Sequence, residues 1–248
     1  MIANQDPELS AAVVDRVDTE EYRLLPFRSP TARKVFEYAD RQRDLRQTEP
    51  SDDVIAALVT AQDEGVLSER DYHNYFALLM IAGNETTRHT ISSGMLALAE
   101  HPEQMRLLQD EPERIPRAVE EILRWATPVL HFRRTATRDT ELRGVNIRKG
   151  DKVVTWYISA NRDGEAFPDP DRFDITRRPN EHVTFGPGGP HFCLGAHLAR
   201  LETRILFEEL LPRLDSIELT GPVERMRSNF VNGIKHMPVR VKLAGQNG

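Results

Sequence analysis

Hydrophobic positions recur at helical spacing through most of the first half of the chain. Val35, Phe36, Tyr38, Ala39 and Leu45 predict a helix over residues 31–47. Before it, Pro26 and Pro30 interrupt the pattern, and Val13, Val14 and Val17 support only a helix fragment and loop over residues 1–30. A second helix opens at Pro50-Ser51-Asp52-Asp53, with Ser51 as N-cap and two acids in the first turn, and runs through Val54, Ile55, Leu58 and Val59 to Gly65. A third opens at Ser68 with Glu69 and Asp71 and extends over residues 69–99. Its middle is apolar nearly all round (Tyr75, Phe76, Leu78, Leu79, Met80, Ile81), which predicts a helix through the centre of a domain. Residues 102–110 and 116–126 form two more helices, each entered by a proline.

After Pro128 the period changes. His131–Thr137, Val145–Ile147 and Lys152–Ile158 read as short strands, the last two joined by the turn Arg148-Lys149-Gly150-Asp151. Residues 161–179 are irregular and carry Pro168, Pro170 and Pro179; a loop this long in a compact domain points to function. A last helix follows Cys193, with Leu194, Leu198, Leu201, Ile205, Leu206 and Leu210 at helical spacing, and ends at Pro212. Ile217–Leu219 and Val239–Leu243 read as final hairpins. The fold class is mainly α with a minor antiparallel β portion.

Two stretches break the rules of their elements. Gly83-Asn84-Glu85-Thr86-Thr87 puts a glycine, an acid and two threonines into the middle of the long helix, where they cost helix stability and bury polar groups. Such local conflict is expected at a functional site. The second is Phe185-Gly186-Pro187-Gly188-Gly189-Pro190-His191-Phe192-Cys193-Leu194-Gly195, which holds the only cysteine of the 248 residues. A thiol where a glycine loop enters a helix is biased toward thiolate, the form that ligates metal or attacks carbon. Base rates alone make a lone cysteine a small buried hydrophobe. Glu121 and Arg124 share one helical face, and such a pair is by itself a weak signal.

Composition narrows the class. The chain is 39% hydrophobic and 29% charged, as in folded globular proteins. A net charge of −6 gives no support for general nucleic-acid binding. One cysteine excludes an intramolecular disulfide framework and suits a reducing compartment. No run of eighteen apolar residues is present, and the first residues lack the basic and apolar regions of a signal peptide.

Four segments, in order, resemble the C-terminal part of a cytochrome P450. Ala82-Gly83-Asn84-Glu85-Thr86-Thr87 is similar to the family's oxygen-activation motif, and Glu121-x-x-Arg124 to its Glu-x-x-Arg helix. Phe167-Pro168-Asp169-Pro170-Asp171-Arg172-Phe173 resembles the segment whose arginine completes a Glu-Arg-Arg triad, and Phe185–Gly195 resembles the cysteine-ligand loop. His101-Pro102-Glu103-Gln104 and Ala160-Asn161-Arg162-Asp163 agree as well. The resemblance covers essentially residues 1–248, read as the C-terminal part of one catalytic domain whose N-terminal helices, first strands and substrate lid are absent.

The resemblance implies a haem b cofactor with Cys193 as its thiolate ligand, the sulfur lending the electron density that favours O–O cleavage. It implies Glu85 as proton relay and Thr86 as hydrogen-bonding partner during oxygen activation, with Gly83 letting the helix bulge or lie close to the haem. Glu121, Arg124 and Arg172 become a buried network holding the cysteine loop. Arg134 matches a propionate-binding arginine, and His191 is either a second propionate contact or a loop residue satisfied by backbone. Phe185, Gly188 and Gly195 belong to the haem loop. The implied reaction inserts one oxygen atom of O2 into an apolar substrate of sterol, terpenoid or branched-lipid type. Its electrons come from NAD(P)H through a ferredoxin and reductase, in the cytoplasm.

One departure lies in the loop: Phe185 stands eight residues before Cys193, where the commoner family pattern has seven. Other readings stay open. Cys193 with His191 or His197 could be a nucleophile and base, Cys193 and His197 could share a zinc, or the chain could be a truncated, inactive fragment.

Overall fold

The computed structural model of the chain describes residues 30–49 and 51–245. The helix fragment expected before Pro30, and Pro50 itself, lie outside the described residues. The chain divides into two compact units, residues up to Ala82 and residues from Gly83 onward.

In the first unit, α1 (Pro30–Thr48) and α2 (Val54–Asp63) meet the start of α3 (Glu69–Glu100). Their core is Val35, Ala39, Val59, Tyr72, Phe76 and Ala77. Tyr72 donates its hydroxyl to the Ala39 carbonyl at 2.7 Å, which satisfies its polar end inside that core. The N-cap of α2 is Asp53 rather than Ser51: its carboxylate accepts the Ala56 N–H at 2.8 Å. Ser51 instead donates to Asp53, and Arg46 donates to the same carboxylate. A charged acceptor at the helix start displaces a neutral hydroxyl.

In the second unit, the rest of α3 is followed by α4 (Pro102–Asp110), a 3-10 turn (Pro112–Arg114) and α5 (Ile115–Ala126). Then come strands β1 (His131–Thr135), β2 (Thr140–Leu142), β3 (Val145–Ile147) and β4 (Lys152–Trp156), and the short α6 (Tyr157–Ala160). The irregular segment and cysteine loop lead to α7 (Ala196–Leu210), and β5 (Leu214–Leu219), β6 (Glu224–Arg225), β7 (Ile234–His236) and β8 (Val239–Leu243) close the chain. Leu98, Leu108, Ile115, Ile122, Leu123, Phe173, Phe207 and Leu211 are central to the core of this unit.

The mainly α fold with small antiparallel sheets is as expected, but the strand pairing differs in one respect. The turn at Arg148–Asp151 does not make a hairpin of its flanking strands. β1 pairs with β4 and β2 pairs with β3, so a small hairpin is nested inside a larger one. The Asp151 carboxylate accepts the Arg148 N–H and Asp139 accepts the Lys149 N–H, and this turns the chain out of the β3 register. Residues 157–160 wind into α6 where a strand to Ile158 was expected. The end of the chain repeats the nesting: β5 pairs with β8 around the pair β6 and β7.

Two helices are less enclosed than their apolar patterns suggest. α3 is α-helical throughout, with no bulge at Gly83, and Tyr75, Leu78 and Ile81 are exposed. Beyond Tyr72, Phe76 and Ala77 at its start, it is continuously buried only from Ser93 to Leu98. On α7, Leu198, Leu201 and Ile205 are exposed, while Ala196, Thr203 and Phe207 face inward. Among the described residues nothing covers that stripe.

Gly94 marks the tightest packing. A Cβ there would lie 2.7 Å from Ile122 Cγ2 and 3.0 Å from Phe207 Cζ, and both side chains are fully buried. Ile122 is β-branched within a helix and cannot swing away. Gly94→Ala should therefore destabilise the chain by about 1–3 kcal/mol of overpacking, outweighing the ~1 kcal/mol of helix propensity that alanine brings. Urea unfolding measures the difference, and a variant more stable than the parent would contradict the packing.

Candidate functional site

α5 carries a fully buried carboxylate, Glu121, beside a fully buried guanidinium, Arg124. The pair is bidentate: Arg124 Nε donates to Oε2 and Nη2 to Oε1, each at 2.7 Å. The third arginine is Arg177, not Arg172. Arg177 is buried and its Nε lies 3.2 Å from Glu121 Oε2. Arg172 turns its side chain outward and supplies only its carbonyl, which accepts from Arg124 Nη2 at 3.1 Å and from Arg177 Nη2 at 2.8 Å. The Asp174 N–H and Asn180 Nδ2 complete the shell around Glu121 at 2.9 and 3.0 Å.

The remaining guanidinium donors reach backbone. Arg124 Nη1 donates to the carbonyls of Asn161 (2.7 Å) and Pro170 (2.8 Å). Arg177 donates to those of Pro168 and Asp169. Asn161, also fully buried, donates to the hydroxyls of Thr127 and Thr184 at 2.9 Å each and accepts the Val183 N–H. Thr127 caps α5 at φ 37°, a strained conformation for a β-branched residue; its hydroxyl donates to the Arg124 carbonyl, which helps to hold it.

This network ends at the cysteine loop. Gly186, Gly188 and Gly189 take φ values of 92°, 108° and 80°, open to glycine and costly for other residues. The Phe185 carbonyl accepts the Cys193 N–H at 2.9 Å, which closes the loop. The Cys193 thiol is exposed, two residues before the N-cap Gly195 of α7. His191 is exposed as well, and its ring makes no hydrogen bond among the described residues. Phe185 is half-buried under the Arg200 guanidinium, whose Cζ stands 4.4 Å from the ring centroid. Arg134 lies exposed on β1 over the Phe132 ring, with no acidic partner among the described residues.

On α3, Glu85 is largely buried and pairs with Arg88 on its exposed side. On its buried side, His89 Nε2 comes within 3.0 Å of Glu85 Oε2. The approach is close in distance but does not meet hydrogen-bond geometry, and both His89 ring nitrogens are buried without such a partner. Burial pushes the His89 imidazole down in pKa, against the pull of the Glu85 carboxylate. Thr86 is half-buried, and its carbonyl accepts from the Thr90 hydroxyl at 2.9 Å.

The model of the cytochrome P450 family matches residues 26–241. The chain belongs to the cytochrome P450 family. Among curated relatives, a methyl-branched lipid omega-hydroxylase of Mycobacterium tuberculosis is 48% identical over 204 residues, covering 82% of this chain and 48% of the relative. A steroid C26-monooxygenase of Rhodococcus jostii is 46% identical over 212 residues, covering 85% of this chain and 45% of the relative. The crystal structure of the P450 CYP108D1 from Novosphingobium aromaticivorans superposes with a TM-score of 0.82 at 40% identity, over 90% of this chain and 54% of that one. The chain thus spans about half the length of the curated relatives it matches. No helix among the described residues is long and apolar enough to cross a membrane.

The residues around Cys193 fit the haem of such a P450. The sulfur is exposed on a loop closed by the hydrogen bond from the Cys193 N–H to the Phe185 carbonyl. A side chain added at Gly83, Gly188 or Gly195 would meet nothing within 4 Å. Phe192 and Leu194, on either side of Cys193 in the chain, present exposed apolar surface, and Phe132 and Trp156 are exposed on the β1–β4 hairpin.

Several members of this constellation escape a reading by motif. Arg177 is one, five residues beyond the arginine the motif points to. Others are Glu120, His182 and Arg200: Arg200 forks onto both oxygens of Glu120 at 2.7 and 3.0 Å, and His182 Nε2 donates to Glu120 Oε2 at 3.1 Å. His182 Nδ1 accepts the Thr184 N–H at 3.3 Å, which assigns the proton to Nε2. The signal available in sequence was helical phase alone: Arg200 lies seven residues after Cys193, and His89 four after Glu85.

Arg177→Ala should cost about 3–5 kcal/mol, because it strips a buried partner from Glu121, whereas Arg172→Ala should cost about 0.5 kcal/mol or less. Chemical denaturation of the two variants separates them; equal losses would return the role to Arg172. Burial raises the Glu120 carboxyl, but hydrogen bonds from His182 and Arg200 outweigh it and hold the group down at about 2, from 4.5. Its contribution is therefore complete above pH 4.5 and disappears as pH falls toward about 2. The stability gap between the parent and Glu120→Gln should close across that window, and a gap independent of pH would contradict the assignment.

Proposed function

We propose that this chain supplies the haem-binding and oxygen-activating part of a single-domain haem-thiolate monooxygenase that inserts one oxygen atom of O2 into an apolar substrate. The observation that carries the reading is the exposed Cys193 thiol, held on a loop backed by buried Glu121, Arg124 and Arg177. Haem b bound through Cys193 supplies the redox chemistry, with electron density from sulfur favouring cleavage of the O–O bond.

The chain's own residues then take distinct tasks. Cys193 ligates the iron, and the Phe185 carbonyl and loop glycines fix its backbone. Arg134 binds one propionate, as a guanidinium without an acidic partner is suited to do, and His191 the other. Gly83 and Gly195 leave room for close approach. The Glu85 carboxylate lies between exposed Arg88 and buried His89, so it connects the helix surface to the interior as a proton relay. Thr86, one residue further, presents its hydroxyl to orient the group that receives that proton.

Relatives named for methyl-branched lipid and steroid oxidation support an apolar substrate of lipid, sterol or terpenoid type. Electrons come from NAD(P)H through a ferredoxin and its reductase. A single, unpaired cysteine supports a reducing cytoplasmic setting.

The test is turnover of a branched lipid or a steroid by haem-loaded protein with ferredoxin, reductase, NAD(P)H and isotopically labelled O2. Product should carry one labelled oxygen atom. Thr86→Ala should keep consuming NAD(P)H while diverting most of it to hydrogen peroxide. Unlabelled product, or a Thr86→Ala variant as tightly coupled as the parent, would contradict the assignment. A chain that aggregates and takes up no haem would favour the reading as an inactive fragment.

A further inference from the structure

We propose that Arg200 is a positioning residue for the metal ligand: with Glu120 and Phe185 it forms a clasp that fixes the backbone of Cys193. The inference concerns how the loop is held; its consequence for the iron rests on the function proposed above.

The segment between Phe185 and Cys193 has little means of fixing itself. Three of its glycines hold positive φ and contribute no side-chain packing. Its own backbone hydrogen bonds are few: the Gly186 N–H donates to the Val183 carbonyl at 2.8 Å and the Phe192 N–H to the Gly189 carbonyl at 3.0 Å. Phe192 and Leu194 are exposed. Restraint must therefore come from the ends of the segment: Phe185 lies under the Arg200 guanidinium, and Cys193 leads directly into the helix that carries Arg200.

Arg200 lies on α7, the helix that the chain enters just after Cys193. Its Nε and Nη2 donate to the two oxygens of Glu120 on α5, at 2.7 and 3.0 Å. Its plane also covers the Phe185 ring, with Cζ 4.4 Å from the centroid. His182 stands beside the same ring, its centroid 6.1 Å from that of Phe185, and donates to the same Glu120. One carboxylate thus anchors both groups that flank the ring. Phe185 in turn accepts the Cys193 N–H through its carbonyl at 2.9 Å. The contacts close a circuit from Phe185 through Cys193 and α7 to Arg200 and back through the ring.

The circuit needs an arginine. A planar fork can hold both carboxylate oxygens while its face stacks on an aromatic ring; an ammonium can pair with Glu120 but cannot do both. If Arg200 served only as counter-charge for Glu120, lysine would replace it. If it is the clasp, lysine keeps the charge and releases the loop.

The test compares the full chain with Arg200→Lys, Phe185→Leu and the double variant, before and after haem addition. Without haem, amide hydrogen exchange at Cys193 should accelerate about ten-fold in each single variant, the scale of a partly desolvated cation–π contact. Amides of α5 should keep their protection, and the double variant should exchange no faster than the singles, since both remove the same contact. With haem, Arg200→Lys should shift the midpoint potential and lose part of its thiolate-type reduced-CO band. Parent-like exchange and potential in Arg200→Lys, or additive effects in the double variant, would overturn the clasp. Should Arg200→Lys fail to fold, Phe185→Leu decides alone: parent-like exchange at Cys193 overturns the clasp. Faster Cys193 exchange in variants of a chain that shows no thiolate-type band would leave the clasp standing and overturn the haem-thiolate reading.

Discussion

A carboxylate with no access to solvent must be compensated on every side, and Glu121 is such a group. Five N–H donors converge on it, from Arg124, Arg177, Asn180 and the Asp174 backbone. The two guanidiniums then have donors left over, and those are taken by carbonyls of Asn161, Pro168, Asp169, Pro170 and Arg172. This explains how the segment over residues 161–179, rich in proline and without regular secondary structure, is ordered. Its carbonyls have no ladder to join, and a backbone acceptor buried without a partner is costly. The ion network provides the donors that a helix or sheet would otherwise provide. A hydrophobic replacement of the same volume could fill the space, but it would leave those carbonyls unsatisfied.

From this segment the order passes to the cysteine. Asn161 and Thr184 join the end of α5 to the residues just before Phe185, and Phe185 joins Cys193 through a single backbone hydrogen bond. The loop therefore owes its shape to groups outside itself, while its glycines supply the permission to adopt it. Further up the chain, α3 remains a regular helix through Gly83 and Glu85. There the departure from ordinary helix chemistry lies in the side chains: a largely buried acid set between an exposed guanidinium and a buried imidazole.

The helices were legible because apolar periodicity reports packing directly: α2, α4 and α5 follow it closely. The strands were legible as extended segments, but β3 could not be paired from its own residues, since two carboxylates at Asp139 and Asp151 decide how the chain turns. Arg172 and Arg177 are chemically identical in sequence; which one turns inward depends on the irregular backbone between them, and that backbone is itself shaped by the network. Periodicity also failed where it seemed strongest. The stripe of Leu198, Leu201 and Ile205 signals an apolar face, yet among the described residues that face is open. A pattern states that a surface is apolar and is silent on what lies against it. Cys193 and Glu85 stand out in the sequence because each breaks the rule of its element, whereas Glu120, His182 and Arg200 break none and stand out only in space.

The central proposal is that the sulfur on this loop would hold a haem iron as its thiolate ligand. The reduced, carbon-monoxide difference spectrum of haem-loaded protein, compared with that of Cys193→Ser, tests it most directly. A thiolate-type band in the parent that is lost in the variant is the predicted result, because the chain holds no second thiol. A band that survives the loss of Cys193, or a haem-loaded parent without one, would contradict it.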